Sequence, residues 1–201
     1  MKGIKILGIT GQFCSGKSTV AAMFAAFGAS VIDVDKLGHN ILSDKKVKKG
    51  LIDYFGKDIL SSGRINRKRL AHKAFSSKSA HRVLCRIVHP QLAKAAIEKI
   101  KRLKRKKFRG IVIIDAAVLI EMGLSKHIDK LVFVWLPHAK QIRRARLKWR
   151  LPRLDIERRI HLQLPVSTLV KKADFIIDNS GSMAETKKQV KEIYKKIAPR
   201  D

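Results

Sequence analysis

Gly11-Gln12-Phe13-Cys14-Ser15-Gly16-Lys17-Ser18 is the stretch whose reading decides the fold. It matches G-x-x-x-x-G-K-[ST] at every specified position, the pattern of a phosphate-binding loop (P-loop). Its flanks agree. Lys2 to Thr10 is an apolar run with Ile4, Ile6, Leu7 and Ile9, expected to be a buried strand, and an Ala-rich helix is expected from about Lys17 to Phe27, with Gly28 just past its end. Glycines allow the tight turn and bring backbone N–H groups against phosphate oxygens, and the helix N-terminus adds the positive end of its dipole. The loop, Gly11, Cys14, Ser15, Gly16, Lys17, Ser18 and Thr19, is therefore expected to hold a nucleotide. Lys17 would reach the β- and γ-phosphates, and the Ser18 hydroxyl would ligate Mg²⁺.

Three residues depart from the usual loop. Cys14 stands where many such loops carry glycine, so a positive φ there would store strain. Its place at a helix N-terminus beside Lys17 predicts a lowered thiol pKa. Gln12-Phe13 replaces smaller residues.

Outward from the loop, strands alternate with helices. Further strands are expected at Ala29–Val34, Ile111–Ile114, Lys130–Leu136 and Ala173–Asp178, with helices over Ala139–Trp149 and Met183–Ile197. Between the second and third strands, from Lys36 to about Arg109, there is little strand signal. The pattern is an α/β doubly wound fold with a helical insertion. Asp115 closes the third strand, either as the carboxylate that positions Mg²⁺ in P-loop proteins or as a turn or helix cap. Val31-Ile32-Asp33-Val34-Asp35 follows the first helix. Residues two apart on a strand share a face, so both carboxylates would point into the crevice beyond the strand ends, one to orient an acceptor hydroxyl and one structural.

Composition sets the bounds. At 201 residues with 45% hydrophobic content the chain fits one ordinary domain. No apolar run approaches the ~20 residues of a membrane span, and Met1 to Phe13 lacks the pattern of a signal peptide. Cys14 and Cys85, the two cysteines, lack metal-ligand spacing and suit a reducing cytosol, so a cytoplasmic location is expected. Forty-five Lys and Arg against sixteen Asp and Glu give a formal charge of +29, a field that attracts polyanions. No nucleic-acid-binding motif is visible, so contact with nucleic acid is expected only as non-specific binding. The basic run Lys99–Arg109 keeps Ile97, Ile100 and Leu103 at helical spacing and is expected to be a solvated helix face. Trp135 is expected in the core.

Short pieces along nearly the whole chain resemble the dephospho-CoA kinase family: Thr10–Ser18, Val31–Asp35, Tyr54–Asp58, Gly63–Arg67, His89-Pro90, Asp115–Glu121, Gln141–Arg144, Arg159–Gln163 and Ala173–Asn179. Each piece is weak alone, and their order and spacing are specific. The resemblance implies transfer of the ATP γ-phosphate to the ribose 3′-hydroxyl of dephospho-CoA. It implies a P-loop kinase fold with a five-stranded parallel sheet flanked by helices: a core of about residues 1–35, 110–140 and 160–201, a helical substrate-binding region of about 36–109 and a lid of about 141–159. Asp35 is the carboxylate expected near the acceptor hydroxyl, with Asp33 second. Arg144 and Arg146 in the lid would face the transferring phosphoryl group or substrate, and Asn179 to Ser182 would flank the adenine. His89, Asp115 and Glu121 are expected on the substrate side, although His89-Pro90 would equally end a helix. Ala117 replaces a family proline, and Lys148 and Trp149 stand where arginine and an acidic residue are usual. Other P-loop proteins compete: a nucleoside or nucleoside-monophosphate kinase shares these features, and the charge suggests a nucleic-acid-binding ATPase. A GTPase is disfavoured by the lack of an N-K-x-D-like motif.

Overall fold

The structure is a computed structural model and describes residues 3–198, so Lys2 of the first expected strand and both ends of the expected core lie outside the described residues. Five parallel strands form the sheet: β1 (Ile4–Thr10), β2 (Ser30–Asp33), β5 (Gly110–Asp115), β6 (Lys130–Trp135) and β7 (Phe175–Asp178), in the order β2-β5-β1-β6-β7. Consecutive residues of β5 are apolar because both faces of the sheet are covered. Val112 and Ile114 join Ile6 and Ile32 in the core on one face, while Ile111 and Ile113 join Leu7, Ile9, Val132 and Val134 on the other.

Helices α1 (Lys17–Ala26) and α9 (Met183–Ile197) cover the second face through Val20, Phe24, Val190 and Ile193. The first face carries the insertion: α2 (Val34–Ile41), α3 (Lys45–Phe55), α4 (Arg67–Ala74) and α5 (Lys78–Arg105), with a small hairpin of β3 (Leu60–Ser61) and β4 (Arg64–Ile65). The hairpin turns on Ser62 and Gly63, both at positive φ. It was not expected, since two-residue strands carry no periodicity. Helix α5 is a second departure. It runs through Pro90 for 28 residues, so His89-Pro90 does not end a helix. The buried side chains Ala80, Leu92, Ala96 and Ile100 hold it to the core, outweighing the one backbone bond a proline removes. Within its basic end, Lys99, Lys101 and Arg102 are exposed as expected, with Ile100 buried between them.

Helices α6 (His138–Trp149), α7 (Arg153–His161) and α8 (Val166–Lys172) complete the chain. Ala145, Ile156 and Ile160 of α6 and α7 pack together against Phe13 and Cys14 of the loop. Trp135 is half-buried rather than a core residue, because the last position of β6 opens onto a groove lined by Pro137 and Pro165.

Candidate active site

The Gly11–Ser18 loop leaves β1 at the carboxyl end of the sheet and feeds α1. Two glycines are required there by contact. A Cβ on Gly11 would lie 2.5 Å from Ser15 Oγ and 2.7 Å from the Val134 carbonyl. Gly16, at φ 96, has Asn179 Nδ2 where a Cβ would go. Cys14 has φ 60, so the strain expected of a non-glycine residue at this turn is present. The loop is braced by the second half of the chain. Asn179 Nδ2 donates to the Ser15 carbonyl at 2.7 Å, and the Phe13 N–H donates to Gln163 Oε1 at 2.7 Å. Gln12 Nε2 reaches the Leu164 carbonyl at 3.4 Å, while Gln141 Nε2 donates to Gln12 Oε1 at 3.3 Å. No side chain caps the start of α1, so its first N–H groups face the loop's concavity.

That concavity is a cavity of about 580 Å³ lined by Cys14, Gly16, Lys17, Ser18, Thr19, Arg144 and Asn179. Lys17 is 8% exposed and lines the cavity. Arg144 Nη2 donates to the Asn179 carbonyl at 3.1 Å. Behind Ser18 stands Asp115, 2% exposed, with Oδ1 lacking a partner. Burial pushes its pKa up, while Lys17 and a hydrogen bond from Ser18 pull it down. A buried carboxylate oxygen next to a serine hydroxyl and a phosphate-loop lysine fits the donor chemistry of Mg²⁺, which takes one or two protein oxygens and fills its sphere with water and phosphate.

A second, larger cavity of about 820 Å³ lies beside the first, between the insertion and α7. Its apolar side is formed by Leu42, Leu70, Phe75, Leu84 and Val88, and its cations are Arg67, Lys68 and Arg159. Asp35 and Trp149 line both cavities.

Asp33 and Asp35 do not share a strand face. Strand β2 ends at Asp33, which caps α2 by accepting from Lys36 N at 2.8 Å and pairs with Lys36 Nζ at 3.4 Å. Asp35 belongs to the first turn of α2. Helical geometry at Val34 therefore separates the two roles, the first carboxylate being taken up by the cap and the second turned to the cavities.

The dephospho-CoA kinase (CoaE) family model matches residues 5–185. The chain belongs to the dephospho-CoA kinase family. It is 41% identical over 196 residues to a dephospho-CoA kinase of Aquifex aeolicus, covering 96% of this chain and 98% of that one. A solved Thermus thermophilus structure superposes with a TM-score of 0.77 at 27% identity, covering 98% of this chain and 100% of the other. A dephospho-CoA kinase from Campylobacter jejuni has the same fold, with a TM-score of 0.62 at 22% identity over 97% and 98% of the two chains. As a dephospho-CoA kinase the chain is an ATP-dependent phosphotransferase with dephospho-CoA as acceptor.

Of the other residues singled out in the sequence, Arg146, Glu121 and His89 line neither cavity. Arg146 is exposed on α6. Glu121 Oε1 accepts from Leu164 N at 3.4 Å, which steadies the turn that carries Gln163. His89 is half-buried on α5, and burial with His81 nearby lowers its pKa from 6.5 to about 4. Asn179 lines the first cavity, but its amide is already bonded to Ser15 and to Thr186 Oγ1. Cys14 overturns an expectation. Its pKa is raised, because desolvation outweighs the Trp149 hydrogen bond and the nearby Lys148, Lys17 and Arg144 charges. Sequence reasoning missed the cations of the larger cavity. Arg159 lies over the Phe75 ring at 4.6 Å and faces Phe13 at 5.6 Å, with Nε buried and unpartnered. Arg67 and Arg159 both sat in pieces that resemble the family, and that was the signal available for them.

Proposed function

We propose that the cavity beside Lys17 takes ATP, that the larger cavity takes dephospho-CoA, and that Asp35 is the carboxylate that accepts the proton of the ribose 3′-hydroxyl. The observation that carries this reading is the place of Asp35 on the wall common to both cavities, where an acceptor hydroxyl on one side meets a γ-phosphate on the other. A general base has to lie within hydrogen-bond reach of the proton it takes, and the shared wall is where that reach is available.

The remaining residues divide by what they touch. The loop N–H groups and Lys17 hold the phosphates, with Lys17 following the charge as it moves toward ADP. Arg144, tethered through one nitrogen to the Asn179 carbonyl, offers its other N–H groups to the transferring phosphoryl group. Exposed Leu147 and Met183 supply apolar faces for the adenine. Ser18 and Asp115 would hold Mg²⁺, Ser18 through its hydroxyl and Asp115 through its unpartnered oxygen. The ion supplies charge neutralisation at the phosphates when bound. In the larger cavity, Arg67, Lys68 and Arg159 meet the diphosphate of the acceptor while Leu42, Leu84 and Val88 meet its apolar arm. No helix of the described residues is long and apolar enough to cross a membrane, and the two cysteines are unpaired, which supports a cytoplasmic location.

The test is ADP release coupled to CoA formation with ATP, Mg²⁺ and dephospho-CoA, run beside nucleosides and nucleoside monophosphates. Transfer to dephospho-CoA that Lys17→Ala abolishes, and that Asp35→Asn cuts without loss of ATP binding, is the expected result. Full turnover in Asp35→Asn would remove Asp35 from the reaction.

A further inference from the structure

Trp149 shares the wall between the two cavities with Asp35. It stands on the last turn of α6, which Arg150 ends in a left-handed conformation at φ 50, two residues before Pro152. The helix therefore stops directly after Trp149, at the edge of both cavities. The indole shares the lining of the first cavity with Cys14, whose thiol feels it, and Lys148 Nζ lies 5.4 Å from the ring centroid. The side chain is nevertheless 54% exposed, so it covers an opening rather than filling a core. It is a large apolar plane that borders the phosphate-loop cavity on one side and the larger cavity on the other.

The chemistry of a kinase makes such a plane consequential. Transfer to dephospho-CoA breaks the bond between the γ-phosphorus and the bridging oxygen of ADP and forms a bond to the 3′-oxygen, with the hydroxyl proton leaving. Water can make the same attack, giving ADP, inorganic phosphate and a proton. A kinase therefore needs water kept from the passage between donor and acceptor. Asp35 is polar and would hold water there, and Trp149 is the apolar group on the same wall.

We propose that Trp149 determines whether the phosphoryl group passes to dephospho-CoA or to water, by screening the passage between the two cavities from solvent. This rests on the assignment of the cavities to ATP and dephospho-CoA given above.

The experiment follows inorganic phosphate and CoA in one reaction of the full chain with ATP, Mg²⁺ and dephospho-CoA, for the wild type, Trp149→Ala and Trp149→Phe. The ratio of phosphate to CoA is expected to rise by about tenfold or more in Trp149→Ala and to stay within about twofold of wild type in Trp149→Phe. The reactions are run at saturating dephospho-CoA, so that every turnover starts from the complex with both substrates. A role in folding or in substrate binding alone would then lower both products together and leave the ratio unchanged, and that result overturns the proposal. An equal rise in Trp149→Phe overturns it as well, because the aromatic plane would then not be what excludes water. A wild-type chain that forms no CoA removes the cavity assignment and the proposal with it, whereas CoA formation with an unchanged ratio in Trp149→Ala removes the proposal alone.

Discussion

Asn179 donates to the Ser15 carbonyl across 164 positions of sequence, and through that bond the end of β7 holds the turn that follows β1. The same amide accepts from Thr186 Oγ1 at 3.1 Å, and the Asn179 carbonyl takes Arg144. One buried residue thus ties together the phosphate loop and the start of α9 through its side chain, and the arginine of α6 through its main-chain carbonyl.

Removing that side chain has two consequences. In Asn179→Ala the Ser15 carbonyl and the Thr186 hydroxyl lose a partner, at a cost of about 1–3 kcal/mol for a buried polar group left unsatisfied. ATP affinity is expected to fall by about tenfold as the loop loosens, since each 1.4 kcal/mol is a factor of ten. Urea denaturation and titration calorimetry read the two effects separately. Unchanged ATP affinity would show that the loop holds its shape without Asn179.

Asp33 and Asp35 are expected to separate cleanly. Asp35→Asn should lower kcat by about 10²–10⁴, the range for a general base, with ATP affinity retained. Asp33→Ala should instead cost about 1 kcal/mol of stability through the lost α2 cap. Steady-state kinetics on both variants and thermal denaturation of Asp33→Ala check this. Equal losses of kcat would return the choice between them to the open state in which the sequence left it.

His89 makes stability fall on the acid side. Its pKa drops from 6.5 to about 4 on folding, because burial disfavours the cation and His81 lies nearby. The unfolded chain therefore takes up a proton that the folded chain refuses. Stability from this group is complete above about pH 6.5 and declines as pH falls toward about 4. His89→Gln is expected to flatten that decline in urea titrations between pH 7 and 5. A slope identical to wild type would assign the acid sensitivity elsewhere.

Alkylation of Cys14 should be slow at neutral pH, because desolvation holds its thiol above the ordinary value. The rate should climb as pH rises, and ATP should protect the site. Cys85, pushed up to about 11, is expected to react more slowly still. Mass spectrometry of iodoacetamide-treated protein, with and without ATP, gives both rates. Equal labelling of Cys14 in the presence of ATP, with activity surviving, would put the thiol outside the nucleotide's footprint.

The parts legible in the sequence are those whose chemistry is local. The Gly11–Ser18 loop is contiguous, and strands buried on both faces leave runs such as Ile111–Ile114 that need no partner to be recognised. What stayed hidden depends on packing. Nothing in the residue types of Asp33 and Asp35 tells a helix cap from a cavity carboxylate, because aspartate serves both. The α5 helix passes Pro90 on the strength of its core contacts, which no window of sequence contains. Arg67 and Arg159 lie 92 positions apart and become neighbours only when α4 and α7 close the larger cavity between them. Cys14 was misjudged because charge is visible in a sequence and desolvation is not.

The braces on the phosphate loop also set an order of events during folding. Phe13, Gln12 and Ser15 bond to Gln163, Leu164 and Asn179, partners separated from them by 150, 152 and 164 positions. Such contacts repay their loop-closure entropy late, and domains built on them assemble slowly. A ribosome-bound chain that has emerged only as far as β5 carries every residue of the G-x-x-x-x-G-K-S pattern without the scaffold that shapes it. Nucleotide binding is thus a property that the molecule acquires only after β7 has emerged, docked beside β6 and brought Asn179 to the loop.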